Sequence, residues 1–470
     1  MYRYIHGFHS SSIFPLSSMS IFSLRKLHSV SNSSVISTEQ SQLLSPQYYI
    51  DLDRRYVGHT YEPLPIVLHS GKGIHVYDVK HQCYIDFLSG YSALNFGHNH
   101  PTLINTLINQ ANTLSLTSRA FYNDQLPTYA EYITKYFQYD MMIPMNTGVE
   151  AGETAIKLAR KWGHRKKGIP ANEGIILMAH GNFWGRTITA ISTSDDPLAY
   201  KDYGPFVPGF AKIPYGNTEA LENYLFENSN IIAFYVEPIQ GEAGIIIPPT
   251  GYLQTIAKLC QRYGVLLIFD EIQTGLGRTG KLLAGDYENI RPDILVLGKA
   301  LGGGILPCSA ILANRTIMDV FEPGTHGSTF GGNPLACAIA TTALRVLQEE
   351  KLVENSAVRG EELRQGLTKL LMEFPHIIEV IRGKGLLNAM VIRKDAKNNL
   401  NQSITAWDIC MAATRTTGSS VSKGLLAKPT HSSIIRLAPP LIITKEEIQE
   451  SLQILHSAVQ RVAKGESKLK

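Results

Sequence analysis

Three short apolar runs in the middle of this 470-residue chain end on ionisable residues. Ile231–Val236 runs into Glu237, Val265–Phe269 into Asp270 and Glu271, and Ile294–Leu297 into Gly298 and Lys299. Runs this short, apolar throughout and bounded by turn residues, suit strands buried on both faces of a mostly parallel sheet. In such a sheet, ligands bind beyond the carboxyl ends of the strands, so three charges delivered to one edge mark a candidate site. Any one of them alone is as well explained by a strand ending in a wet loop. Asp270 closes a greasy strand, where a carboxylate is poorly solvated and strongly attracts a cation. Lys299 stands among Gly298, Gly302, Gly303 and Gly304, which let backbone approach a flat ring closely.

A lysine amine that forms a Schiff base, and a carboxylate that keeps a ring nitrogen protonated, are what pyridoxal 5′-phosphate asks of a protein. Its phosphate also needs a cradle. Asn146-Thr147-Gly148-Val149-Glu150 opens a helical pattern, with Gly148 and Val149 near its start. Free N–H groups at a helix start bind phosphate, helped by the helix dipole. Taken by itself the segment says no more than "capped helix". His98 and His100 suggest a metal pair, but no further ligand stands at useful spacing. They read as packing and hydrogen-bonding residues at a turn before Pro101, and no metal site is expected.

These segments resemble class III aminotransferases. The resemblance is carried by Tyr61–Ile66 (YEPLPI), Gly90–Pro101, Asn146–Trp162, Asn182–Thr187 (NFWGRT), Val236–Gly244 (VEPIQGEAG), the Asp270 and Lys299 segments, Gly324–Pro334 (GTHGSTFGGNP) and Arg436–Leu441 (RLAPPL). It covers the chain from about residue 46 to near the end. Within the class it is greatest to the enzymes acting on ornithine, on Tyr61, Tyr91, the NTGVEA cup and the FWGR run; acetylornithine enzymes often have histidine where Trp184 stands. The resemblance implies pyridoxal-phosphate fold type I and transfer of the ornithine side-chain amine to 2-oxoglutarate, giving glutamate semialdehyde and glutamate. It implies Lys299 as cofactor and proton-shuttle lysine, Asp270 at the pyridine nitrogen, Gln273 at the ring hydroxyl, and Phe183 stacked on the ring. Gly148 and Val149 would hold the phosphate, and Ser328 and Thr329 would reach the phosphate of a neighbouring subunit, so a homodimer is implied. Tyr61, Tyr91 and Arg186 would serve ornithine; Arg436 would hold the glutamate α-carboxylate, with Glu242 neutralising it otherwise. Other ω-amine transaminases, for acetylornithine or 4-aminobutyrate, and an aminomutase or decarboxylase share these features. A Rossmann-type dehydrogenase does not fit, because the chain lacks G-x-G-x-x-G after a first strand followed by an acid about 20 residues on.

The elements that must position these residues read as an α/β chain. Residues 39–95 are a glycine- and proline-punctuated lead-in with strands at Gly73–Tyr77 and Cys83–Phe87. Residues 96–345 alternate helix and strand: helices at Pro101–Leu116 and Glu150–Trp162, and a further strand at Gly174–Met178. A long helical stretch follows Leu335 to about Phe374. Residues 346–470 then form a smaller α+β domain, with strands at Asn388–Ile392 and Ser433–Leu437, and the lead-in packs with it.

Composition bounds the rest. Hydrophobic residues at 44% and charged residues at 18% are those of an ordinary folded protein, and a net charge of +4 without basic runs argues against nucleic acid. No apolar run approaches the roughly 20 residues of a membrane helix. Five scattered cysteines without C-x-x-C spacing argue against a disulfide framework or zinc. Residues 1–38 carry Arg3, Arg25 and Lys26 but no acid, and are rich in serine. That is the composition of a mitochondrial transit peptide, so the matrix is the expected compartment and the cytoplasm the alternative.

Overall fold

The computed structural model describes residues 44–415 and 423–466. The segment read as a transit peptide lies outside them.

At its centre is a seven-stranded sheet built from β4 (Met141–Met145), β5 (Ile175–Ala179), β6 (Phe210–Ile213), β7 (Ile231–Val236), β8 (Leu266–Asp270), β9 (Ile294–Leu297) and β10 (Ser309–Ala313), in the order β4-β10-β9-β8-β7-β5-β6. Only β10 runs against its neighbours; β9, β8, β7, β5 and β6 pair in parallel. Every residue of β7, β8, β9 and β10 is buried, as their uniform apolarity requires. One helix over this sheet, Gly148–Trp162, buries Ala151, Ala155, Ile156, Leu158 and Ala159 on one side. Small alanines let its backbone lie close to the strands.

Two smaller sheets flank the central one. The first contains β1 (Leu68–Lys72), β2 (His75–Asp78) and β3 (Cys83–Asp86), closed by a parallel pairing of β3 with β13 (Gly424–Leu426). The second joins β11 (Ile378–Lys384), β12 (Leu387–Ile392), β14 (Lys428–Thr430) and β15 (Ile434–Leu437), in the order β11-β12-β15-β14. The lead-in segment is therefore stitched to the C-terminal region by backbone hydrogen bonds.

Two expectations shift. The strand read at Gly73–Tyr77 begins at His75, because Gly73, with φ +59°, and Ile74 form the two-residue turn of a β1–β2 hairpin. The single long helix after Leu335 is two helices, Pro334–Glu349 and Leu352–Glu373, broken at Lys351 with φ +52°. Helical periodicity persists across the break, so a sequence pattern alone does not reveal it. Strands β1, β4, β6, β10 and β11 carry no comparably clean signal.

Candidate active site

The carboxyl ends of β4, β5, β7, β8 and β9 share one edge of the central sheet, and each leads into a residue of one cavity. Gly148, Val149, Phe183, Glu237, Glu242, Asp270, Gln273 and Lys299 line it, with Trp184, Gly185 and Ile272, around a volume of about 240 Å³.

Lys299 follows β9 directly. Its backbone lies in the left-handed region, φ +47°, a conformation that costs a non-glycine residue about 1–3 kcal/mol and that clusters at functional sites. Burial lowers the Lys299 pKa; Asp270 counters this, and Arg436 adds to it. Asp270 is 4% exposed. Its Oδ2 accepts the Tyr235 hydroxyl at 2.6 Å and its Oδ1 accepts the Ile272 N–H at 3.0 Å. Burial pushes the Asp270 carboxyl up, while those bonds and Lys299 pull it down. Glu237, also buried, clasps two loops: Oε1 accepts the Phe183 N–H at 3.0 Å and Oε2 the Gly241 N–H at 3.2 Å. Desolvation, and then the nearby Asp270 charge, push its pKa up to about 8.

Arg436 comes from β15. It is 1% exposed, and its Nη2 meets Glu242 Oε2 at 2.8 Å. Its Nε and Nη1 are buried with no hydrogen-bond partner among the described residues. Burial opposes charge on Glu242, yet Arg436, with Lys299, holds its carboxyl below the ordinary range. The Arg436 guanidinium also lies over the Tyr91 ring, 5.3 Å from its centroid. Tyr91 is delivered by a left-handed turn, with positive φ at Ser89, Gly90, Tyr91 and Ser92. Tyr61, 78% exposed, lines with Tyr91 a second, larger cavity of about 510 Å³. Arg186 lies over the Phe183 ring, 5.7 Å from its centroid, and is exposed. Ser328 and Thr329 do not line the chain's own cavity; Ser328 Oγ accepts from Asn146 Nδ2 at 3.1 Å.

The residues fit pyridoxal phosphate. Asp270 is a buried carboxylate without a bonded cation, the partner a pyridinium nitrogen would be. Gln273 presents a buried, unpartnered Oε1. The helix start at Gly148 has N–H groups with no preceding turn to bond, and a Glu150–Thr147 capping box fixes its geometry. A Cβ added at Gly148 would meet Ile272 at 3.0 Å, so the cradle has little room to spare.

His98 pairs with Asp86 at 2.8 Å and His100 with Glu350 at 3.0 Å. Among the described residues no group of His, Cys, Asp and Glu could hold a metal. All five cysteines are free. Glu271 is a structural clasp, accepting the Ala284 and Gly285 N–H groups and the Thr274 hydroxyl. Sequence reasoning missed Tyr235, which reaches Asp270 from the neighbouring strand, and Arg278, buried and bonded to Asn95 and to the carbonyls of Leu386 and Pro439. Strand register and loop docking bring these together, and neither leaves a local sequence signal.

The mitochondrial ornithine aminotransferase of Drosophila melanogaster is 52% identical over 407 residues, 87% of this chain and 90% of the relative. The crystal structure of the ornithine aminotransferase from Toxoplasma gondii ME49 superposes with a TM-score of 0.86 at 42% identity, over 92% of this chain and 100% of that one. The acetylornithine aminotransferase of Elizabethkingia anophelis superposes with a TM-score of 0.78 at 46% identity, over 88% and 99% of the two chains. The family model for aminotransferase class-III matches residues 56–459, and the chain belongs to that family.

Proposed function

We infer that this chain transfers the side-chain amine of L-ornithine to 2-oxoglutarate through pyridoxal 5′-phosphate, giving glutamate 5-semialdehyde, which cyclises to pyrroline-5-carboxylate, and glutamate. The observation that carries this reading is the Arg436–Glu242 pair. A buried guanidinium with two unpartnered nitrogens favours a substrate carboxylate, because an unbonded buried charge is costly. Glutamate brings its α-carboxylate next to the reacting carbon. Ornithine, entering by its δ-amine, brings none there, and Glu242 then neutralises Arg436. One pocket so serves two substrates in alternation, and the kinetics are ping-pong.

Bound in the cavity, pyridoxal phosphate supplies an electrophilic carbon and an electron sink. Lys299, its charge disfavoured by burial, would hold the cofactor through Nζ and would be the group that moves a proton at the reacting carbon. Asp270 would hold the ring nitrogen, Phe183 would lie against the ring and Gln273 would serve the ring hydroxyl. Gly148 and Val149 would hold the phosphate by backbone N–H. Tyr61 and Arg186, with Tyr91, take the ornithine α-carboxylate end.

The division of the chain into a lead-in at 39–95, a cofactor domain at 96–345 and a small domain at 346–470 belongs to the same reading. So does a homodimer in which Ser328 and Thr329 reach the partner's phosphate; it is supported by their position outside their own cavity and by the exposure of Phe121, Tyr122 and Phe330. The matrix is the compartment we propose, on the acid-free N-terminus and the mitochondrial relative. There the reaction joins arginine breakdown to proline formation.

The alternative, a preference for acetylornithine or 4-aminobutyrate, is favoured by the Elizabethkingia likeness and opposed by Trp184, buried against the cavity wall. The test is a half-reaction panel on the holoenzyme with ornithine, acetylornithine, 4-aminobutyrate and lysine. Ornithine should bleach the bound-cofactor absorbance fastest. A faster reaction with acetylornithine or 4-aminobutyrate would overturn the ornithine assignment, and Lys299→Ala should abolish bleaching by any of them.

A further inference from the structure

The segment bearing Ser328 and Thr329 contains Gly324, Gly327, Gly331 and Gly332. So many glycines make a loop entropically costly to order. Three sets of side-chain bonds fasten it beside helix Gly148–Trp162, whose first turn forms the phosphate cradle; the third, from Lys161 Nζ to Glu322 Oε2 at 3.2 Å and to Thr325 Oγ1 at 3.4 Å, lies near the helix's far end. The first is at the cradle itself. Ser328 Oγ accepts from Asn146 Nδ2 at 3.1 Å and from the Gly331 N–H at 2.9 Å, which leaves its own proton free to donate.

The second lies further along the helix and is made by His326. The imidazole stacks on Phe321, with ring centroids 5.3 Å apart and planes 10° from parallel. Lys157 Nζ lies 2.9 Å from Nδ1, and Thr154 Oγ1 lies 2.9 Å from Nε2. The donors fix the tautomer. Thr154 gives its hydroxyl proton to the Glu150 carbonyl at 2.7 Å, so Nε2 carries the ring proton and donates to Thr154. Lys157, which has no acceptor capacity, donates to Nδ1. The ring is therefore neutral and held from two sides, and burial, together with Lys157, disfavours its protonation. His326 does not line the cavity.

We propose that His326 is a positioning residue: through Thr154 and Lys157 it holds the Ser328–Thr329 loop in register with the helix start at Gly148, and so sets affinity for the phosphate of the cofactor. This rests on the pyridoxal-phosphate reading above. In a dimer where this loop serves the partner's phosphate, His326 ties the cradle of one site to the loop of the other.

The experiment compares the dissociation constants of pyridoxal 5′-phosphate and unphosphorylated pyridoxal for the full chain, in wild type, His326→Leu, His326→Gln and Thr154→Val. A side chain that loses its bond to the helix loosens only the phosphate end. His326→Leu and Thr154→Val should each weaken pyridoxal phosphate by about tenfold and leave pyridoxal unchanged. His326→Gln, whose amide can still donate to Thr154, should lie near wild type. Thr154→Val keeps the shape of a buried helical residue and so carries the test if His326→Leu folds poorly. Equal weakening of both ligands, or no weakening of pyridoxal phosphate in Thr154→Val, would overturn the proposal. Wild-type protein with no preference for the phosphorylated ligand would overturn the cofactor reading beneath it.

Discussion

Arg436 and Glu242 meet at 2.8 Å with the arginine buried and the glutamate one-third exposed, an asymmetry that suits a fixed cation and a movable anion. A permanent bridge that only holds the fold would have the same bond length. Removal distinguishes the two. Arg436→Ala should damage the glutamate half-reaction far more than the ornithine half, and Glu242→Ala should favour the glutamate half relative to the ornithine one. Single-turnover absorbance reads both; equal damage to both halves, matched by lost thermal stability, would mean a structural bridge. Asp270→Ala should slow proton abstraction by about a hundredfold or more, since a charge aimed at a dry site is worth several kcal/mol, and rapid-mixing absorbance of either half-reaction measures it. Glu237 makes a prediction about pH. Its folded-state pKa of about 8 lies above the ordinary 4.5, so the folded chain binds a proton that the unfolded chain has released. The stability this contributes is complete below pH 4.5 and is lost as pH rises toward 8. In the cofactor-free protein, Glu237→Gln should flatten that decline, by up to about 1.4 kcal/mol per pH unit. Denaturant midpoints across this window that fall in parallel for both proteins would place the titration elsewhere.

Among the elements, the long helix Leu352–Glu373 shows how the C-terminal region is held against the site. At Gly360 it crosses the β11–β12 turn so closely that an added Cβ would lie 1.9 Å from the Gly385 carbonyl oxygen. Arg364 donates to the same oxygen at 2.8 Å, and Leu386 donates to the Arg278 carbonyl at 3.1 Å. Arg278 lies a few residues beyond Asp270 and Gln273, so this crossing braces the loop that follows β8. Gly360→Ala cannot be relieved by turning a side chain, because the obstacle is backbone. It should cost about 3 kcal/mol, as overpacking of a dense core does, and lower the urea midpoint; an unchanged midpoint would show that the helix can shift.

For the molecule as a whole, the candidate site is an assembly product. The central sheet supplies Asp270 and Lys299, the C-terminal sheet supplies Arg436, and the left-handed turn after β3 supplies Tyr91. The pairing of β3 with β13 joins the lead-in segment to that C-terminal region. The proposed matrix location rests on the composition of residues 1–38, which lie outside the described residues. A fusion of residues 1 to about 40 to a fluorescent protein should reach mitochondria, and a diffuse cytosolic signal from the full-length fusion would overturn the matrix assignment.

The sequence by itself determined the buried strands Ile231–Val236 and Ile294–Leu297, because an uninterrupted apolar run has no place but the interior. It also determined that Asp270 and Lys299 sit at one sheet edge, because parallel strands all end on the same side. The family motifs then named Gly148, Phe183, Gln273, Glu242 and Arg436, residues whose local patterns alone say little. Tertiary structure decided what depends on neighbours distant in sequence. Tyr235 reaches Asp270 through the β7–β8 register, Arg436 arrives from a separate sheet, and His326 meets Thr154 across 172 positions. It also decided the backbone reversals at Lys351, Tyr91 and Lys299, where packing holds non-glycine residues left-handed against their own preference. Local propensity acts over a few residues, whereas register, docking and strain are set by the whole packed chain.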